Sequence, residues 1–191
     1  MTWKRIFSIL IFIASFIGGK FAYSALFGES DTVSFEASDW KFQSYLGVQF
    51  ESPFELSKTE LELPVGVKPF VKKFDTYKYD TKALGLFISR AEYKEGIPSD
   101  IDGAVQGGIQ NMQAGEGVSD FSYEVRPISK NYWEGRRATG TMKFKGKDAE
   151  FAFEVYKNNS KLLQIISTNL IYPENSAVIE RIMKSMQISF L

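Results

Sequence analysis

The sequence predicts an α+β fold: a single antiparallel sheet with helices packed on its faces, preceded by an N-terminal membrane helix. Three observations carry it. Phe121, Tyr123 and Val125, then Phe151, Phe153 and Val155, alternate with polar or small residues at a period of two, as strands do. Ile101, Val105, Ile109 and Met112 recur at helical spacing, as do Ile179, Ile182, Met183 and Met186. Lys4 and Arg5 stand before an unbroken apolar run, Ile6 to Gly19, at the very start.

That run belongs to a membrane or a translocon. Ile6 to Phe27 reaches the roughly 20 residues of a spanning helix if Lys20 snorkels to the headgroups, with Phe21, Tyr23 and Phe27 as an aromatic belt. The other reading is a cleaved signal, with Ala22-Tyr23-Ser24 as the cleavage site. In both, the positive start stays in the cytoplasm and the rest is exported. Residues 1–27 are thus a signal-anchor or signal peptide, 28–39 a polar linker, and 40–191 one extracytoplasmic domain. The expected location is the cytoplasmic membrane with the domain in the periplasm or outside. Cleavage would instead release the domain to the periplasm.

In the domain, Phe42 to Phe50 is an aromatic-rich strand closed by Ser52-Pro53, and Phe54 to Leu63 alternates in part. Leu84 to Tyr93 is apolar on both faces, as a central covered strand would be. Pro98-Ser99-Asp100 gives a capping start to a helix over Asp100 to Gln113, whose glycines suit close approach to a sheet. Four strands follow at hairpin spacing, the third placing Phe151, Phe153 and Val155 on one buried face and Glu154 on the other. Pro173 opens the closing helix.

The opening Tyr45-Leu46-Gly47-Val48-Gln49-Phe50-Glu51-Ser52-Pro53 resembles the aromatic-then-proline start of PsbP-like domains. The closing Val178 to Ile188 is similar to their last helix and its Ser-x-x-Ile exit. The resemblance implies an α/β/α sandwich over Phe42 to Ile188. It implies a role in binding or assisting other proteins, as in a photosystem II extrinsic subunit and a Ran-binding import factor. It brings no catalytic set.

Composition narrows the chemistry. The 23 basic residues include Lys4, Arg5 and Lys20, and the first 27 residues hold none of the 23 acidic ones, so the exported part carries 20 positive against 23 negative charges. Such a surface does not fit nucleic acid, which calls for a basic face. With no cysteine there are no disulfides, and the domain must hold by core packing, which suits a bacterial envelope. With no histidine there is no Ser-His-Asp or Cys-His machinery and no histidine metal ligand. Gly140 to Lys147 fails as a phosphate loop, with Thr141 where a glycine belongs and Asp148 in place of Ser or Thr. Asp100-Ile101-Asp102-Gly103 lacks the later ligands of a calcium loop and reads as a helix cap. No cofactor or metal is expected.

The expected function is a non-enzymatic, membrane-tethered domain that binds a protein or envelope component. A carrier of a hydrophobic ligand is the alternative, and a carboxylate-based glycan hydrolase the third reading. An apolar pocket of roughly 300 Å³ or more would favour the carrier. Two carboxylates about 5 to 10 Å apart in a cleft would favour the hydrolase. The candidate binding patch is Trp133, expected in an exposed turn, with Arg136, Lys143, Lys145 and Lys147. The three lysines would share a face if they lay on one strand.

Overall fold

Leu46 and Gly47 both take positive φ, 54° and 86°, the backbone of a two-residue hairpin turn. The stretch expected as one strand is therefore two, β1 (Lys41–Tyr45) and β2 (Val48–Ser52). The computed structural model describes residues 30–61, 63 and 65–189; the membrane segment expected at 1–27 lies outside the described residues. Among the described residues no helix is long and apolar enough to cross a membrane.

Further along the chain come β3 (Ser57–Lys58), β4 (Val71–Asp80) and β5 (Leu84–Tyr93), then α1 (Ile101–Gln113). Four long strands follow, β6 (Val118–Lys130), β7 (Trp133–Phe144), β8 (Lys147–Asn158) and β9 (Lys161–Leu170), then α2 (Pro173–Ser185) and β10 (Gln187–Ile188). The α+β class holds, but the expected single sheet is two. Seven strands run in the order β3-β4-β5-β9-β8-β7-β6, and three in the order β1-β2-β10. All described pairings are antiparallel. The second sheet exists because the two residues of β10 return to pair Ile188 with Val48 and Gln187 with Gln49.

The large sheet is buried on both faces through its middle. On one side α1 packs Ile101, Val105, Ile109 and Met112 against Phe87, Phe151, Phe153 and Val155. Asp100 caps this helix, its carboxylate accepting from the Gly103 amide at 3.1 Å. On the other side, Val48 and Phe50 of the small sheet and Val178, Ile179 and Ile182 of α2 pack against Leu86, Ile88, Leu163 and Ile165. Burying roughly a dozen such side chains on each face, at about 1.5 to 3 kcal/mol apiece, supplies what absent disulfides would otherwise give.

Within the stretch expected as a linker, Asp31, Val33 and Phe35 make contacts with the domain. The Val33 amide donates to Asn175 Oδ1 at 3.0 Å, and Asn175 Nδ2 donates to the Asp31 carbonyl at 2.9 Å. Asp31 is ion-paired to Lys82 at 2.6 Å and also to Lys147. The Phe35 and Phe54 rings meet at 5.9 Å, and Arg181 stacks 3.9 Å over the Trp40 ring.

Candidate functional site

Cross-strand register lays four strands into rows on the face that α2 only partly covers. Ser122, Thr141, Glu150 and Asn169 form one row; Glu124, Thr139, Ala152 and Ser167 the next; Arg126, Arg137, Glu154 and Ile165 the third; and Ile128, Gly135, Tyr156 and Leu163 the fourth. Toward β9 the rows turn apolar and α2 caps them. Toward β6, an edge strand, they stay polar and open. The result is a groove of about 1200 Å³ between this polar shelf and the Ile179, Glu180, Met183 and Lys184 side of α2.

The groove floor is charged, and its charges are held in place. Glu154 is 2% exposed. Its Oε1 lies 3.4 Å from Arg137 Nη1, and Tyr156 donates to its Oε2 at 2.7 Å. Burial first, then the Glu154 carboxylate, pushes the Tyr156 hydroxyl far above its ordinary range, so it stays a donor. Glu150 accepts from Asn169 at 2.9 Å and from Ser176 of α2 at 2.7 Å, pinning the helix to the shelf. Thr139 donates to Glu124 at 3.4 Å. Two groups are left over: Arg137 Nε and Ser167 Oγ are buried without a hydrogen-bond partner.

The sequence-predicted patch does not assemble. Trp133 opens β7 and is 5% exposed, packed in the core beneath α2 and the small sheet. It was expected in a turn, but the turn sits one step earlier, at Asn131-Tyr132, with Asn131 at φ 53°. Lys143 lies ten residues along the same strand, roughly 33 Å away at about 3.3 Å per residue. Nor do the lysines share one strand: Lys143 is the penultimate residue of β7, Lys145 is in the turn and Lys147 opens β8. Each cation has a local partner. Arg136 pairs with Asp102 of α1 at 2.8 Å, Lys143 with Asp120 at 3.5 Å and Lys147 with Asp31, while Lys145 sits 5.5 Å over the Phe144 ring.

The sequence places Glu154 on the strand face opposite Phe153 but does not mark it as a site residue, because period-two alternation alone does not tell which elements pack on that face. That face is covered by α2 and the small sheet. The signal was present: Glu150, Ala152, Glu154 and Tyr156 are polar or small at a period of two, opposite the polar 137–141 positions across the hairpin.

Tyr45 and Tyr132 both lie outside the groove lining. Tyr45 packs on Tyr77, its ring centroid 5.1 Å away, and its hydroxyl donates to Gln43 and accepts from the Leu56 amide. Tyr132 is exposed at the β6–β7 turn. One further cavity, walled by Leu84, Met142, Phe144, Ala149 and Leu170, has a volume of only about 30 Å³. The Ser-x-x-Lys spacing of some nucleophilic serines occurs at Ser38-Asp39-Trp40-Lys41, with both end residues exposed beside β1 and away from the groove lining. No group of three or more carboxylates among the described residues is placed to hold a metal.

No family model matches the chain, and no curated protein matches it. Solved structures do. The chain is similar to LpqN, described as involved in cell envelope biogenesis of Mycobacterium tuberculosis, at 11% identity over 87% of this chain and 90% of that one, with a TM-score of 0.42. It is also similar to the cyanobacterial PsbP (CyanoP) of Synechocystis sp. PCC 6803, at 10% identity over 84% of this chain and 94% of that one, with a TM-score of 0.46. The likeness to PsbP-like domains is one of fold.

Proposed function

We propose that this chain is a non-enzymatic binding domain, held outside the cytoplasmic membrane by Ile6 to Phe27, which takes a protein or other envelope component in the groove along β6 to β9 and α2. One observation carries the reading. The groove floor keeps buried hydrogen-bonding capacity, Arg137 Nε and Ser167 Oγ, that nothing in the fold uses. Leaving such a group unsatisfied costs about 1 to 3 kcal/mol, and a partner laid in the groove would recover it. The carboxylates of the floor are occupied by Arg137, Tyr156, Asn169 and Ser176, an arrangement that suits recognition better than proton transfer. The carrier reading finds less support, because the small apolar cavity of about 30 Å³ is far below the roughly 300 Å³ of a ligand site.

The test is a photo-crosslinking amino acid at Thr139, inside the groove, or at Val125, exposed on the opposite face of β6, in the full chain in its native membrane. Adducts from Thr139 that are absent from Val125 and lost when Ala152→Trp fills the groove are the expected result. Equal adducts from both faces, or none from Thr139, would overturn the proposal.

A further inference from the structure

We infer that Ile171 and Tyr172 form a contact with the lipid bilayer, seating the corner between β9 and α2 at the headgroup layer beside the anchor. This rests on reading Ile6 to Phe27 as a membrane span and does not depend on what the groove binds.

The chain enters the domain at that corner. Asn175, wholly buried, donates through Nδ2 to the Asp31 carbonyl at 2.9 Å and to the Leu170 carbonyl at 3.1 Å. One amide thus clamps the entering segment to the end of β9. Lys82 and Lys147 hold the Asp31 carboxylate at the same place. Phe27, the end of the span, comes four residues before Asp31. Fully extended, four residues cover at most about 14 Å. The headgroup layer on each side of the hydrocarbon is itself roughly 5 to 8 Å deep. No more than about 10 Å can therefore separate the corner from the headgroups.

What the fold presents there is apolar and held in place. Ile171 is 46% exposed and Tyr172 37%. The Ile171 amide donates to the Asp148 carbonyl at 2.9 Å, and the Tyr172 amide to the Leu170 carbonyl at 2.8 Å. Pro173 follows at once as the first residue of α2, so both side chains are displayed by a fixed backbone. An exposed isoleucine gains by leaving water, and a tyrosine, apolar in body and polar at its tip, suits the membrane interface. Charge does not supply the attraction. Asp31 engages Lys82 and Lys147, Asp80 engages Lys78, and Asp120 engages Lys143. Glu116, Asp148 and Glu174 lie at the same end as Lys145. With no surplus of positive charge, the corner fits a bilayer without anionic lipid.

The chain has no cysteine, so Ile171→Cys in the full chain takes a single nitroxide label. Tyr132→Cys is the aqueous reference: Tyr132 is 83% exposed, at the β6–β7 turn roughly 35 Å along the strands. Both are reconstituted in phosphatidylcholine vesicles, and collisions of each label with oxygen and with a water-soluble nickel chelate are measured. The expected result is a loss of nickel access and a gain of oxygen access at position 171 relative to 132. Tyr172→Ser should restore nickel access at 171 without lowering the melting temperature. Equal nickel access at the two positions would overturn the contact. So would protection that survives Tyr172→Ser, which the tether alone would give, or protection that appears only when phosphatidylglycerol is added. A chain that does not float with the vesicles would remove the anchor and this contact together, while the Thr139 crosslinks report on the groove separately.

Discussion

Gly108 of α1 faces the ring of Phe153 in β8 so closely that a Cβ placed on the glycine would lie 2.2 Å from Cε1 of the ring. That contact sets how near the helix sits to the sheet. Alanine is the better helix former by about 1 kcal/mol, yet the 0%-exposed ring has nowhere to retreat. Gly108→Ala should therefore destabilise by about 1 to 2 kcal/mol net, from an overpacking cost of up to about 3. Urea unfolding in wild-type and Phe153→Leu backgrounds checks this. The penalty should shrink in the second, because contacting residues couple; a stabilised Gly108→Ala would show that the helix is free to move.

The two faces of the large sheet should prove equally structural. Phe153→Ala on the α1 side and Trp133→Ala on the α2 side should each cost about 3 to 5 kcal/mol. Chemical denaturation measures both. The Trp133 result separates the buried position seen here from an exposed aromatic anchor, whose loss would leave stability within about 0.5 kcal/mol.

Arg137 and Glu154 form a third test. Removing the arginine strands a carboxylate that is 3% exposed, while Arg137 itself keeps 28% of its side-chain surface. Arg137→Met should accordingly cost about 3 kcal/mol, the low end for breaking a buried pair. The double variant with Glu154→Gln should recover part of that loss, since no buried charge is left uncompensated. Additive losses in the double-mutant cycle would mean that the two groups do not interact.

Acid stability should report on Asp31. Its hydrogen bond from Lys147, then that from Lys82, holds its carboxyl below the ordinary value of 3.8. A depressed carboxylate stabilises the fold above its unfolded-state value, and that contribution is lost as pH falls through the folded one. Asp31→Asn should thus melt below wild type at pH 7 and pH 5. The gap should narrow below about pH 4 and close once Asp31 is protonated in both states. Thermal melts from pH 7 down to pH 2 check the sign; a gap that widens in acid would refute the ion pairs as its source.

Where one rule of spacing decided an element, the sequence was readable. Leu84 to Tyr93 is a covered central strand with the expected bounds, and α1 starts beside its Asp100 cap. Pro173 opens α2 as expected. Long-range closure was not readable, because two residues, Gln187 and Ile188, carry no periodicity of their own and gain strand identity only from β2. The Leu46-Gly47 turn hid inside an aromatic run, since a leucine at positive φ has no compositional signature. The site was obscured by its own chemistry. Arg136 and Arg137 are neighbours in sequence and read as one basic cluster, but a strand sends them to opposite faces. One meets Asp102 of α1 and the other Glu154 of the groove.

The return of Ile188 to Val48 has a consequence in time. Until β10 is available, β2 has only β1 beside it, and a lone two-stranded hairpin is marginal in water. The last strand is also gripped by the β6–β7 turn, through Lys130 to the Met186 carbonyl at 3.1 Å and Asn131 to that of Ile188. Ribosomes add about 5 to 20 residues per second, so β10 is made roughly 7 to 27 s after β2. Pairing across so much chain is also slow, on the order of milliseconds to seconds. The β1–β2 hairpin therefore waits on residues made far later than itself, and the small sheet can lock only once Gln187 and Ile188 are free to pair with it.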